Sequence, residues 1–152
     1  MGRVESSALV DAFVPRVFYF LWPERVGAWY APANGTRVEV VSPGGIGPGA
    51  RIRISGESRF GPGAVEAEVL EWEPPHAFGW RVVRGAPRAE VRLRCEADGA
   101  RTRVTMRNRY SVRPPVLGLL LDRWLVRPRV EAVDREAVEN LKALAEGRRG
   151  CP

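Results

Sequence analysis

Residues 101–112 have the sequence RTRVTMRNRYSV, in which arginines alternate with mostly apolar residues. A period of two predicts a β-strand with one face in the protein core and the other in solvent. The inward face would then carry Met106, Asn108 and Tyr110. The same kind of pattern recurs on the N-terminal side, at residues 36–42, 50–59, 64–73, 77–84 and 88–97.

These six predicted strands are joined by short breaks rich in Gly, Pro and Asp, which favour turns. No helical pattern lies between them, so a parallel doubly wound sheet is excluded and an antiparallel meander is predicted. Strand 64–73 is ambiguous, because Val65, Ala67 and Val69 point to one face whereas Leu70 and Trp72 point to the other. A β-bulge would reconcile the two sets.

After Pro114 and Pro115 the apolar period becomes 3.6, which predicts a long helix. Pro128 lies inside this pattern and is expected to kink or interrupt the helix. Gly147 is a plausible end, and 148–152 is expected to form a loose tail. Two apolar stripes follow the helix, one of Leu117, Leu120, Leu121 and Trp124, the other of Val130, Val133, Ala137, Leu141 and Leu144.

The N-terminal segment begins with a predicted strand at 4–12. Pro15 lies near the first turn of a predicted helix, where its missing N–H has no cost. Pro23 ends that helix and starts a second short one that ends near Tyr30. The predicted class is therefore α+β, with the element order β-α-α-β6-α and one domain over 1–147.

The composition is that of an ordinary globular protein. The chain has 152 residues, of which 45% are hydrophobic and 28% charged. No segment approaches the roughly 20 apolar residues that span a bilayer, and the N-terminus lacks the plan of a signal peptide. Cys95 and Cys151 are too few for a disulfide framework. We therefore expect a cytoplasmic protein.

The net charge of +6 comes almost entirely from arginines at the alternate strand positions that are predicted to face solvent. One interpretation is a basic face for nucleic acid or anionic lipid. The alternative, which we favour, is an ordinary solvent face on which Glu66, Glu68 and Glu90 pair with neighbouring arginines. Nucleic acid is not an expected partner. A surface that binds single strands needs aromatic residues among the basic ones, and here most aromatic residues are predicted to lie on the opposite face from the arginines.

Catalytic and cofactor motifs are not apparent, so no catalytic residue, metal or cofactor is predicted. His76 is the single histidine and follows two prolines, which favours a surface turn. The glycines of 44–49 precede a strand instead of the helix that a phosphate-binding loop requires. If the predicted inward and outward faces were exchanged, the carboxylates that could reach inward would be Asp11, Glu68 and Glu71.

Several short motifs together resemble the START/Bet v 1-like (SRPBCC) superfamily, which includes the polyketide cyclase/dehydrase and lipid-transport families. Trp22 stands where these families usually have Asp. The motifs are 10–12 (VDA) leading into 15–18 (PRVF), 21–25 (LWPER) with Trp29, 49–51 (GAR), 69–75 (VLEWEPP), 102–105 (TRVT) and 141–147 (LKALAEG).

The resemblance implies a helix-grip fold, in which a curved antiparallel sheet wraps around the long C-terminal helix. It also implies a ligand cavity between sheet and helix, with loop 44–49 gating its mouth. Asn108 and Tyr110 are candidates for the few polar groups that orient a ligand. The alternative is that the inward residues simply fill a core. The candidate ligand-binding residues are Phe18, Trp22, Trp29, Ile52, Ile54, Phe78, Trp80, Val82, Val91, Leu93, Met106, Asn108, Tyr110, Leu117, Leu120, Leu121 and Trp124.

Three functions are compatible with such a fold. The first is a carrier or sensor of a small hydrophobic or amphipathic ligand, such as a lipid, polyketide-like molecule or isoprenoid. The second is a polyketide cyclase or dehydratase that uses Tyr110 and Asn108, so whether the protein is an enzyme stays open. The third is a quinone- or ribosome-associated interaction protein. An exposed edge strand or Trp72 would support a homodimer.

Overall fold

A computed structural model describes residues 2–58, 61–85, 88–111 and 122–147. The predicted ligand residues Leu117, Leu120 and Leu121, and the predicted tail 148–152, lie outside the described residues.

One seven-stranded antiparallel sheet forms the body of the molecule. The strands are β1 (Gly2–Val10), β2 (Arg37–Val40), β3 (Arg51–Ser58), β4 (Gly61–Glu73), β5 (Ala77–Arg84), β6 (Ala89–Asp98) and β7 (Arg101–Tyr110). Their spatial order is β1, β7, β6, β5, β4, β3 and β2, so the six predicted strands form a meander and the first strand adds to its far edge. The α+β class and helix-grip architecture are thereby confirmed.

A proline lies in the first turn of both α-helices, which the sequence predicted for Pro15 but not for Pro128, where a kink or interruption was expected. Helix α1 spans Val14–Tyr19 and the C-terminal helix α2 spans Arg127–Ala145, each with a proline in its first two positions. A π-helical turn, Asp122–Val126, precedes α2, so the predicted interruption lies next to Pro128. The predicted second helix is instead a 3-10 helix, Pro23–Ala28, followed by another, Pro32–Asn34.

Helix α2 lies along the edge strand β1 as well as over the sheet. The Lys142 ammonium donates to the backbone carbonyl of Leu9 at 2.7 Å, and the Arg127 guanidinium donates to that of Arg3. An edge strand exposes backbone groups that can pair with another chain. Cationic side chains of α2 therefore satisfy part of this edge.

The predicted β-bulge is present in β4. Val69 pairs with Trp80 and Glu71 pairs with Gly79, so Leu70 is an extra residue in the ladder. Beyond the bulge Trp72 turns to the inner side, where its ring lies 5.3, 4.9 and 5.1 Å from those of Phe18, Trp22 and Phe78. Trp72 is therefore half-buried against the core and is not the exposed surface residue that was expected to support a homodimer.

The outer face of the sheet carries paired charges, which confirms the solvent-face interpretation for the three predicted glutamates. Glu90 lies 2.9 Å from Arg92, and longer pairs join Glu66 to Arg84 and Glu68 to Arg81. Glu71 contacts both Arg92 and Arg94 on this face.

Candidate functional site

A cavity of about 380 Å³ lies between the sheet and the N-terminal half of α2. This volume falls within the range of about 300–1,000 Å³ that is typical of small-molecule sites. The lining is mostly apolar. It consists of Val26, Tyr30, Val38, Ile54, Val65, Trp80, Val82, Ala89, Val91, Asn108, Tyr110, Ser111, Val126, Arg129, Val130, Val133 and Asp134.

The sheet register decides which inward residues reach the cavity. Trp80, Val91 and Asn108 pair across β5, β6 and β7, and all three line it. Two positions along the strands, Phe78 and Leu93 belong to the row that pairs with Met106. That second row has the same parity, but it is fully buried in the core.

Helix α2 and the π-helical turn before it supply the opposite wall. Val126, from that turn, lines the cavity with Arg129, Val130, Val133 and Asp134 of the helix. Farther along the same face, Ala137, Val138, Leu141 and Leu144 are buried in the core. The helix therefore fills the space beneath its C-terminal half and leaves the cavity beneath its N-terminal half.

The cavity contains one buried pair of polar side chains. The amide of Asn108 donates from Nδ2 to Oδ2 of Asp134 at 3.2 Å, and these residues are only 6% and 1% exposed. Among the described atoms, Oδ1 of Asn108 and Oδ1 of Asp134 have no hydrogen-bond partner. Unpaired buried oxygens are costly, so this pair is ready to accept hydrogen bonds from a guest.

Burial also changes the acid–base behaviour of these groups. Desolvation raises the pKa of Asp134 to about 6, although the Asn108 hydrogen bond acts in the opposite direction. Desolvation, and then the charge of Asp134, raise the pKa of the Tyr30 phenol to about 12. At neutral pH the cavity therefore contains a mostly ionised carboxyl, which becomes protonated as the pH falls through about 6, and a neutral phenol.

Six of the predicted ligand-binding residues line the cavity: Ile54, Trp80, Val82, Val91, Asn108 and Tyr110. Seven others do not line it and are packed in or against the core: Phe18, Trp22, Trp29, Ile52, Phe78, Leu93 and Met106. Trp124 lies outside it and is 70% exposed. On the strands, alternation predicts which residues face inward, but it does not show which of those line the cavity and which fill the core.

Asp134, Tyr30 and Arg129 are cavity residues that the sequence patterns did not indicate. A signal for Asp134 exists, because it lies four residues after Val130 and four before Val138, on the apolar face of α2. An acidic residue inside such a face is a candidate buried carboxyl. Tyr30 and Arg129 have no comparable signal.

The other candidate groups have ordinary structural positions. Glu71 and Glu68 face outward, and the backbone N–H of Asp11 donates to Glu146. His76 is exposed in the turn between β4 and β5. Burial raises the pKa of the Cys95 thiol to about 12, which keeps it protonated and unreactive.

Loop 44–49 does not line this cavity, which corrects the gating expectation. Its Ile46 instead packs against the core. In the part of the chain that the structure describes, no cluster of three His, Cys, Asp or Glu side chains is placed to hold a metal ion. No described helix is long and apolar enough to cross a membrane.

The model of one protein family, "Polyketide cyclase / dehydrase and lipid transport", matches residues 1–146. The chain belongs to this family. Membership confirms the resemblance to the START/Bet v 1-like superfamily that the sequence motifs predicted. No curated protein matches the chain significantly.

Solved structures of this family's fold resemble the chain over nearly its whole length. TTHA0849 from Thermus thermophilus has a TM-score of 0.77 and 20% identity, covering 98% of this chain and 100% of its own. The ZhuI aromatase/cyclase from Streptomyces sp. R1128 has a TM-score of 0.64 and 17% identity, covering 94% and 95%. The di-domain aromatase/cyclase BexL of the BE-7585A biosynthetic pathway has a TM-score of 0.71 and 20% identity, covering 93% and 45%.

Proposed function

We propose that the protein binds a small hydrophobic or amphipathic molecule in the cavity beneath α2, as a carrier or sensor. The observation that carries this proposal is the pair of unpartnered oxygens, Oδ1 of Asn108 and Oδ1 of Asp134, at an otherwise apolar wall. A guest with an apolar body and one hydrogen-bond donor would satisfy both the wall and these oxygens. Family membership supports the same conclusion.

Titration with a neutral apolar fluorophore such as N-phenyl-1-naphthylamine tests this proposal. Val130→Trp places a large ring into the cavity from a half-buried position of α2, so the fluorescence increase should be lost. Glu136→Trp adds the same side chain at an exposed position of the same helix and should leave the cavity signal unchanged. Equal binding by both variants, with unchanged circular dichroism spectra, would mean that the fluorophore binds elsewhere.

A second candidate is a cyclase or dehydratase, which the carboxyl of Asp134 favours. A buried acid with a pKa of about 6 can both accept and return a proton near neutral pH. In a dehydration, the carboxylate would remove the proton next to a carbonyl, and the resulting acid would protonate the departing hydroxyl, which leaves as water. The aromatase/cyclase name of ZhuI supports this candidate by analogy of fold.

The two candidates differ in their response to Asp134→Asn and Tyr110→Phe. An enzyme incubated with a poly-carbonyl substrate should lose turnover in these variants while substrate binding persists. A carrier should show no turnover in the parent protein. Loss of binding and turnover to the same extent would argue against a chemical role for either residue.

A further inference from the structure

Among the described residues, the lining of the cavity has two unpartnered acceptor oxygens and three aromatic side chains but no buried cation. Oδ1 of Asn108 accepts only, and Oδ1 of Asp134 does so when the carboxyl is ionised. Trp80, Tyr30 and Tyr110 also line the cavity. The faces of aromatic rings attract cations, and a carboxylate does so more strongly.

The charged and titratable groups among the described lining residues are few. They are Asp134 and Arg129 on α2, Tyr30 after the 3-10 helix, and Tyr110 at the end of β7. Arg129 is exposed, so solvent screens its charge, whereas Asp134 is 1% exposed. The buried end of the cavity therefore favours a positive guest although the chain as a whole has a charge of +6.

We propose that the preferred guest is an apolar organic cation, a primary amine whose ammonium group binds between the Asp134 carboxylate and the aromatic side chains. The ammonium N–H groups would donate to the two unpartnered oxygens, and its hydrocarbon part would contact the valines of the cavity. This inference rests on the proposed function, since it specifies the ligand class of the same cavity.

The ionisation of Asp134 follows from this arrangement. Without a guest, burial favours the neutral acid, and the pKa lies near 6. An ammonium ion stabilises the carboxylate and lowers that pKa, so amine binding at pH 6 should release about half a proton per molecule bound, because about half of the Asp134 carboxyls are protonated at that pH. A neutral alcohol of the same length should release none.

Three ten-carbon probes with different head groups provide the test: decylammonium, 1-decanol and decanoate, each below its micelle-forming concentration. Isothermal titration calorimetry at pH 8 should show that decylammonium binds at least about tenfold more tightly than 1-decanol, and decanoate most weakly. At pH 5 the preference for decylammonium should shrink as Asp134 becomes protonated. Titrations at pH 6 in buffers of different ionisation enthalpy should detect the released proton.

Asp134→Asn keeps the shape of the side chain but removes its charge, so it should abolish the preference for decylammonium over 1-decanol. Glu136→Gln removes one negative charge from an exposed position of α2 and should retain the preference. Equal affinities for the three probes, or tightest binding of decanoate, would overturn the amine proposal and leave the proposed function intact. Failure of all three probes to bind would contradict both.

Discussion

The Asn108 amide and the Asp134 carboxyl form a buried hydrogen bond of 3.2 Å that joins β7 to α2 across one end of the cavity. This bond compensates only part of the desolvation of the carboxyl, because one oxygen on each side chain has no described partner. The ligand-free protein therefore has an internal site that opposes its own ionisation.

We expect Asp134→Asn to stabilise the protein at neutral pH and above. The pKa of Asp134 rises from 3.8 to about 6 on folding, so its neutral form favours the folded state. That contribution is fully present below about pH 4 and is lost as the pH rises through 6. Full ionisation then costs on the order of 3 kcal/mol, which the amide variant avoids.

Urea unfolding of Asp134→Asn and the parent protein at pH 4 and pH 8 measures this effect. The variant should be more stable at pH 8, and the two proteins should converge towards pH 4. A difference that does not change with pH would show that Asp134 is not desolvated in the folded state.

Asn140→Leu should destabilise the protein by about 2 kcal/mol, because it removes a buried hydrogen bond. Nδ2 of Asn140 donates to the carbonyl of Trp29 at 3.2 Å, and the Trp29 indole in turn donates to the carbonyl of Phe20 at 2.7 Å. The substitution leaves the first carbonyl buried and unpaired. Chemical denaturation measures the loss, and Glu139→Gln, which changes an exposed neighbour on α2, should change stability by less than about 0.5 kcal/mol.

Glu71→Gln should cost about 1–2 kcal/mol, which is more than an ordinary surface ion pair contributes. The Glu71 carboxylate lies 2.7 Å from Arg94 and 3.3 Å from Arg92, and its side chain is 13% exposed. Glu39→Gln is the matched control, because its pair with Arg37 is 4.0 Å long and highly exposed. Thermal unfolding should show a clear loss for the first variant, reduced in 1 M salt, and almost none for the second.

Deletion of Leu70 should be tolerated, because this residue is the extra one in the β4 bulge. Without it, Val69 and Trp72 keep both their faces and their cross-strand partners. Deletion of Arg92 from β6, whose ladder with β7 has no extra residue, should instead shift the preceding part of that strand by one residue and move Val91 off the inner face. Circular dichroism and urea unfolding should show a cooperative transition only for the first deletion. Two equally stable deletion variants would contradict this interpretation of the bulge.

The architecture could be predicted because strand alternation and helical stripes are local patterns that tertiary contacts reinforce. Arg107 and Met106 take opposite faces of β7 as their alternation indicates. The 3-10 form of Pro23–Ala28 was not predicted, because a segment this short gives no period that distinguishes it from an α-helix.

The cavity residues could be predicted only in part. Parity places Trp80 and Phe78 on the same inner face, but whether a row faces a cavity or filled core depends on packing by α1 and α2. The helical face was predicted from its apolar residues alone, so Asp134 was not included in it. That residue becomes recognisable as a site only when Asn108 is brought opposite it from a distant strand.

The contact between Lys142 and Leu9 joins residues that are 133 positions apart. During synthesis β1 is made first. Its partners β7 and α2 become available only after nearly all of the intervening residues have been synthesised. Closing so long a loop is slow compared with forming the hairpins of the meander. We therefore expect the meander to assemble early, and the attachment of β1 and the closure of the cavity to follow at the end of folding.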